Sequence, residues 1–335
     1  MRAYRMREID GRLQPRLENA DRPEPGPGQV LLRVRAAGLN RGEFIAGHRL
    51  HGRGADGRPV GTEAAGEVVR AGPGVQGWQP GDRAMGRCAG AFADYALLDA
   101  REALRVPLAL DWHQAGATPL TFLVVYDMLV SQGGLKDGDT LLVAGVASGV
   151  GVAALQAGKA IGARVIGTSG SEAKLARLRD EGLDLGVCTR GPDFVAAVLE
   201  ATGGRGADLA INTVGGGVFA ACLRALAFQG RLAMVGYVDG VLTAELDLEA
   251  LHAKRLQLFG VSNKLRSPEQ RAETVAGFRA DWLPLFASGR LRPLIDRVFP
   301  FEQLAQAKDS MERNEHLGKI VLAGSNDDPT DKEQA

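Results

Sequence analysis

The sequence predicts an α/β protein: a doubly wound parallel sheet joined to a barrel-like, β-rich module. Three observations carry this reading. Residues 140–168 run strand, glycine turn, helix, strand within about thirty residues, the size of a βαβ unit. Residues 113–261 alternate strand-length apolar runs with helical segments, as a parallel sheet covered on both faces requires. Residues 1–112 carry short strands punctuated by Gly/Pro turns, the pattern of a small barrel.

In the β-rich part, Val30–Ala36 reads as a strand introduced by the turn former Pro25-Gly26-Pro27-Gly28. Gly66–Gly72 is another, closed by Gly72-Pro73-Gly74. Pro80-Gly81-Asp82-Arg83 turns the chain, and Ala91–Leu98 is a further strand. In the alternating part, Thr140–Ala144 is a buried strand and Ala163–Thr168 its neighbour. Leu185–Cys188 follows, then a helix over 193–202 with Gly203-Gly204 past its end. Ala207–Asn212, a helix over Val218–Ala227, Gly230–Tyr237 and Leu256–Val261 complete the sheet. Val241–Leu246 alternates weakly and reads as an added edge. Amphipathic helices over 268–288 and 301–313 precede a closing strand, Lys319–Leu322. Residues 325–335 are polar and read as a frayed, disordered tail.

The turn after the first parallel strand, Ser148-Gly149-Val150-Gly151, opens an alanine-rich helix. Backbone N–H groups at such a helix start, with the helix dipole behind them, suit a dinucleotide pyrophosphate. Val146 and Ser148 stand where the full Gly-x-Gly-x-x-Gly pattern has glycine, so the fingerprint is incomplete. Where an NAD site has Asp or Glu for the ribose diol, the chain reads Thr168-Ser169-Gly170-Ser171, with no acid until Glu172. Hydroxyls, a helix start and Lys174 suit a 2′-phosphate, so the stretch predicts NADPH rather than NADH. The competing reading of Lys174 is ordinary surface charge. Ligands of such sheets lie at the carboxyl ends of the strands, which adds Val214, Gly215, Val235, Gly236 and Tyr237 to the cofactor set.

Charge is balanced, with 40 basic and 40 acidic residues, and gives no reason to expect nucleic acid or an acidic membrane as partner. No apolar stretch reaches the length of a membrane span, and the first residues show no secretory signal. Cys88, Cys188 and Cys222 suggest no disulfide framework, so the expected location is cytoplasmic.

Several short motifs in order are similar to the medium-chain dehydrogenase/reductase superfamily, specifically its zinc-free, zeta-crystallin-like NADPH:quinone oxidoreductases. They are Ala37-Gly38-Leu39-Asn40, Gly61-Thr62-Glu63-Ala64-Ala65-Gly66, Gly81-Asp82-Arg83, Ala117-Thr118-Pro119-Leu120-Thr121, Ser148-Gly149-Val150-Gly151 and Gly318-Lys319-Ile320-Val321-Leu322. The resemblance implies a GroES-like substrate domain over 1–122, a Rossmann NADP-binding domain over 123–261 and a return to the substrate domain over 262–324. It implies a homodimer through the Rossmann sheet edge. It sets Asn40 and Thr121 beside the nicotinamide, as catalytic and cofactor residues, and adds Thr189 and Lys319 to the cofactor set. Zinc members carry Cys and His at the positions of Asn40 and Thr62, and neither Asn nor Thr competes well for Zn²⁺. Between Asp82 and Tyr95 only Cys88 stands, so a four-cysteine zinc lobe cannot form.

Without a metal, a simple ketone lacks a Lewis acid, and the acceptor must already be activated. Quinones and α,β-unsaturated carbonyls are activated. The expected protein is therefore an NADPH-dependent, zinc-independent reductase of such small molecules. The rivals are an enoyl-thioester reductase, with Arg49, Arg53 and Arg58 as a basic groove, and a non-catalytic NADPH-binding protein. The loop 47–57 has no tyrosine where the resembling reductases often have one; His48 and His51 are its candidates for the substrate cleft. Glu63 reads as a structural ion-pair or buried residue, Glu43 as an exposed carboxylate, and Tyr126 as core packing.

Overall fold

The computed structural model describes residues 1–9, 12–44, 56–263 and 265–324. The chain divides into two compact units, Met1–Leu120 with Val275–Ala335, and Thr121–Thr274. In the first unit, β1 (Arg2–Ile9) and β2 (Arg12–Asn19) pair antiparallel as a ribbon. Strands β3 (Gln29–Gly38), β4 (Glu63–Ala71), β5 (Arg83–Ala89) and β6 (Tyr95–Asp99) follow, with the short β7 (Leu104–Arg105) on β5. They pair antiparallel in sequence order, and β6 pairs back onto β3, which closes the sheet on itself. Closure removes strand edges and leaves an interior that side chains must fill. Leu32, Val34, Val68, Phe92 and Leu98 belong to that core.

The second unit holds β8 (Thr140–Ala144), β9 (Arg164–Ser169), β10 (Leu185–Cys188), β11 (Ala207–Asn212), β12 (Leu226–Met234) and β13 (Gln257–Gly260). They form one parallel sheet in the order β10-β9-β8-β11-β12-β13. Every residue of β8 is buried, as the centre of a parallel sheet covered on both faces demands. The strand order reverses at β8, and such a switch point opens a crevice at the strands' carboxyl ends. The register lines those ends up: Ala144 faces Thr168 and Asn212, Asn212 faces Met234, and Cys188 faces Ser169. The chain then returns to the first unit with β14 (Ile295–Phe299) and β15 (Lys319–Ala323). Strand β15 pairs antiparallel with the end of β3, Val321 opposite Gly38, and carries Lys319 into that unit's interior.

Several local expectations change. The strand expected over Ala91–Leu98 is Tyr95–Asp99. The helix over 268–288 is two, Pro268–Asp281 and Leu283–Ala287. Pro284 has no N–H to continue the ladder, and Trp282 turns into the core. The helix after β11 is Gly216–Arg224, and Ala225–Ala227 turn into the start of β12. That strand ends at Met234 rather than Tyr237. Val241–Leu246 form no strand, and β13 is the outer strand on that side of the sheet. The segment is instead pinned by Asp239, whose carboxylate accepts from the Val241 and Gly217 N–H groups. No helix of the described residues is long and apolar enough to cross a membrane.

Candidate functional site

The first unit buries a polar cluster where β3, β4 and β15 meet. Pairing of β4 with β3 sets Ala64 opposite Ala37, which brings Glu63 to the end of β3. Glu63 is fully buried and Lys319 is 4% exposed. The Lys319 ammonium donates to Glu63 Oε1 at 2.7 Å, to Asn40 Oδ1 at 2.9 Å and to the Leu39 carbonyl at 3.0 Å. An ammonium has three hydrogens, so none is left over for a cofactor. Glu63 Oε1 also accepts from Asn40 Nδ2 at 2.9 Å, and Glu63 Oε2 from the Leu120 N–H at 2.8 Å. A buried ion pair holds only when its remaining hydrogen bonds are made, and here they are. Asn40 is thereby locked: Oδ1 is held by Lys319 and one amide hydrogen by Glu63. The other amide hydrogen has only long contacts, 3.4 Å to the Gly38 carbonyl and 3.5 Å to Thr62 Oγ1.

Glu43 corrects the reading of an exposed carboxylate: it is 3% exposed. Its Oε2 accepts from the Asn40 N–H at 3.0 Å, and its Oε1 accepts from the Thr62 hydroxyl. Burial pushes its pKa up to about 7, against the opposing pull of the Thr62 and Asn40 hydrogen bonds. Glu43, Thr62, Asn40, Glu63 and Lys319 thus form one hydrogen-bonded chain.

The second unit offers a rim along the carboxyl ends of its strands. After β8, Ser148 caps the helix Gly149–Ile161; its hydroxyl accepts from the Gly151 N–H at 3.0 Å and donates to the Gly145 carbonyl at 2.9 Å. The N–H groups of Gly149 and Val150 lie in the first turn, without intrahelical acceptors. A Cβ on Gly151 would strike the Gly145 carbonyl and come within 2.6 Å of Val146 Cα, so only glycine lets the helix start this close to the turn. After β9, Ser169 and Ser171 are tied by a 3.3 Å bond, and Ser171 caps the helix Glu172–Asp180, whose first turn carries Lys174. After β10, the Thr189 hydroxyl is engaged within its own loop, with Asp193 and the Gly191 N–H. After β11, Asn212 Oδ1 accepts from the Val214 and Gly215 N–H groups, both at 2.9 Å, and Nδ2 donates to the Gly215 carbonyl. The Val235 N–H ties β12 to the Asn212 carbonyl at 3.1 Å, and Gly236 and an exposed Tyr237 follow.

The sequence-derived cofactor residues thus fall into two sets. Ser148 to Gly151, Ser169 to Ser171, Lys174, Thr189, Val214, Gly215 and Val235 to Tyr237 share the rim of the second unit, on which no acid of β9 intrudes. Asn40 and Lys319 belong to the cluster of the first. Thr121 is 2% exposed in the helix Pro119–Tyr126, where Tyr126 is buried as expected. His48 and His51, with Arg49 and Arg53, lie outside the described residues, as does the tail 325–335. Sequence reasoning missed the burial of Glu43, the bracing role of Asp239, and Arg190, whose seat on Gly170 no sequence signal marks.

Residues 26–108 match the family model described as an alcohol dehydrogenase GroES-like domain, and residues 149–276 the one described as a zinc-binding dehydrogenase. A pikromycin polyketide synthase component of Streptomyces venezuelae is 35% identical over 306 residues. That match covers 90% of this chain but only 8% of the synthase component. An alcohol dehydrogenase superfamily protein from Novosphingobium aromaticivorans is 30% identical with a TM-score of 0.84, covering 97% of this chain and 100% of its own. A mycobacterial protein solved in complex with NADPH is 27% identical with a TM-score of 0.84, covering 96% and 99%. A mycobacterial quinone oxidoreductase is 26% identical with a TM-score of 0.81, covering 96% and 100%.

Proposed function

The chain belongs to the medium-chain dehydrogenase/reductase superfamily, and from that premise we propose that it is an NADPH-dependent, zinc-independent reductase of quinones or α,β-unsaturated carbonyls. The carrying observation is the Lys319–Glu63–Asn40 cluster. At the positions matched to zinc ligands stand an amide and a hydroxyl, and the neighbouring carboxylate is already neutralised by a buried ammonium. Zinc sites use thiolate, imidazole or carboxylate, so this donor set does not fit the metal. The acceptor must then bring its own activation, which quinones and enones do.

The rim of the second unit fits a dinucleotide: the Gly151 close approach, the capped turn and the acid-free β9 end form a cradle for phosphate. NADPH supplies a hydride from its nicotinamide when bound. In this reading the Gly149 and Val150 N–H groups hold the pyrophosphate, and Ser169, Gly170, Ser171 and Lys174 hold the adenosine 2′-phosphate. Val214, Gly215 and Val235 to Tyr237, braced by Asn212, line the nicotinamide half. The family likeness assigns Asn40 and Thr121 to the catalytic set, Asn40 as a hydrogen-bond donor. The NADPH-bound and quinone-oxidoreductase neighbours support this assignment.

Oxidation of NADPH against a panel of quinones, enones, an enoyl thioester and simple ketones tests it. Turnover of quinones or enones, untouched by chelators, is the expected result. Ketone turnover abolished by chelation, with stoichiometric zinc, overturns it. The identity to a polyketide synthase segment favours a second reading, reduction of an enoyl thioester, and a dominant thioester activity in the same panel would select it. We also propose a homodimer through the β13 edge, where Leu258 is 37% exposed. Light scattering that gives about 35.4 kDa at micromolar concentration would refute it.

A further inference from the structure

We infer that Arg190, seated on Gly170, is a specificity-determining ligand of the cofactor's 2′-phosphate. The inference rests on the NADPH reading above and names a residue beyond Lys174. Strand β10 ends with Cys188 opposite Ser169, and the Thr189 N–H carries the pairing one residue further, to the Ser169 carbonyl at 3.0 Å. Arg190 is the next residue, and its side chain reaches over Gly170. A Cβ on Gly170 would lie 2.5 Å from both Arg190 Cγ and Nε and 2.9 Å from Cζ. The side chain lies across the bare backbone of Gly170, the residue after β9, and a Cβ there would displace it.

That end is where a parallel nucleotide-binding sheet meets the adenosine ribose. An acid there would recognise the bare diol; a guanidinium, planar and fork-shaped, recognises a phosphate. Arg190 is exposed, and among the described residues no carboxylate pairs with it. Its near neighbour Asp193 is turned to the Thr189 hydroxyl. Gly170, on which the cation lies, stands in sequence between Ser169 and Ser171, and Ser171 caps the helix whose first turn bears Lys174; hydroxyls, a helix start and a cation suit a doubly charged phosphate.

Calorimetric titration with 2′,5′-ADP and 5′-ADP, independent of turnover, tests this on wild type, Arg190→Ala and Gly170→Ala, with circular dichroism as the check of folding. Arg190→Ala should weaken 2′,5′-ADP about tenfold or more while 5′-ADP changes less than about twofold. Gly170→Ala should reproduce that selective loss by unseating the guanidinium. Wild type that prefers 2′,5′-ADP, with Arg190→Ala unchanged or both ligands weakened alike, overturns the inference and leaves the NADPH reading standing. A loss in Arg190→Ala that Gly170→Ala does not share overturns the seat on Gly170. Wild type with no preference for 2′,5′-ADP overturns both the inference and the NADPH reading.

Discussion

The two units each hold a polar region, and they are built on opposite terms. In the barrel unit the groups around Lys319 and Glu63 satisfy one another; the ammonium has no hydrogen left and the carboxylate accepts from three donors. The rim of the parallel sheet is made of other groups: helix-start N–H groups, and the cations of Lys174 and Arg190 near small residues. A closed network spends its electrostatic energy on holding the fold and fixing Asn40. On the NADPH reading, the rim's groups act on a ligand instead. Substitutions in the first should therefore register as stability, and in the second as affinity.

The largest break falls on Lys319. Lys319→Ala leaves Glu63 charged, buried and without its counter-ion, a defect worth about 3–5 kcal/mol of stability. Urea denaturation should show that loss. Lys319→Met with Glu63→Gln should recover part of it, because the uncompensated charge is gone. A Lys319→Ala midpoint equal to wild type would mean the cluster is not a closed network.

Glu43 sharpens the same side of the comparison through pH. Its pKa rises on folding, chiefly by burial, from the usual 4.5 to about 7. An acid shifted upward binds its proton more tightly in the folded state. Its contribution is therefore full below about pH 4.5 and is lost as pH rises through about 7. The loss is on the order of 3 kcal/mol. Glu43→Gln should flatten the stability curve between these pH values. An unaltered slope in the variant would show that Glu43 titrates as an exposed carboxylate does.

The parallel sheet was largely legible because its strands are bounded apolar runs: Thr140–Ala144, Leu185–Cys188 and Ala207–Asn212 carry their own limits. The Ser148 cap was legible for the same local reason. The closed cluster was not. Lys319 and Glu63 are 256 residues apart, and nothing near either marks the other. Arg41-Gly42-Glu43 looks like surface, and only Thr62 arriving from the neighbouring segment makes Glu43 a buried acid. Arg190 escaped notice because its seat, Gly170, follows the adjacent parallel strand, and register is set by the whole sheet. Pro284 did give a signal against one long helix, and the apolar periodicity masked it.

The mildest test lies on the open rim. Lys174 stands in the first turn of the helix capped by Ser171, after a strand end that carries no acid. A carboxylate there would repel a 2′-phosphate, and a lysine attracts it. A charge-assisted contact of this kind is worth about 1.5–3 kcal/mol, so Lys174→Ala should weaken NADPH about ten- to a hundredfold. NADH lacks the phosphate and should be almost unaffected, and the urea midpoint should move little, since the side chain is only half-buried. Nicotinamide fluorescence titrations of both cofactors against wild type and variant decide between this and a solvated helix lysine, which predicts no change for either. Equal losses for both cofactors would mean that Lys174 supports the fold, and the contrast between a closed core and an open rim would then fail at its simplest residue.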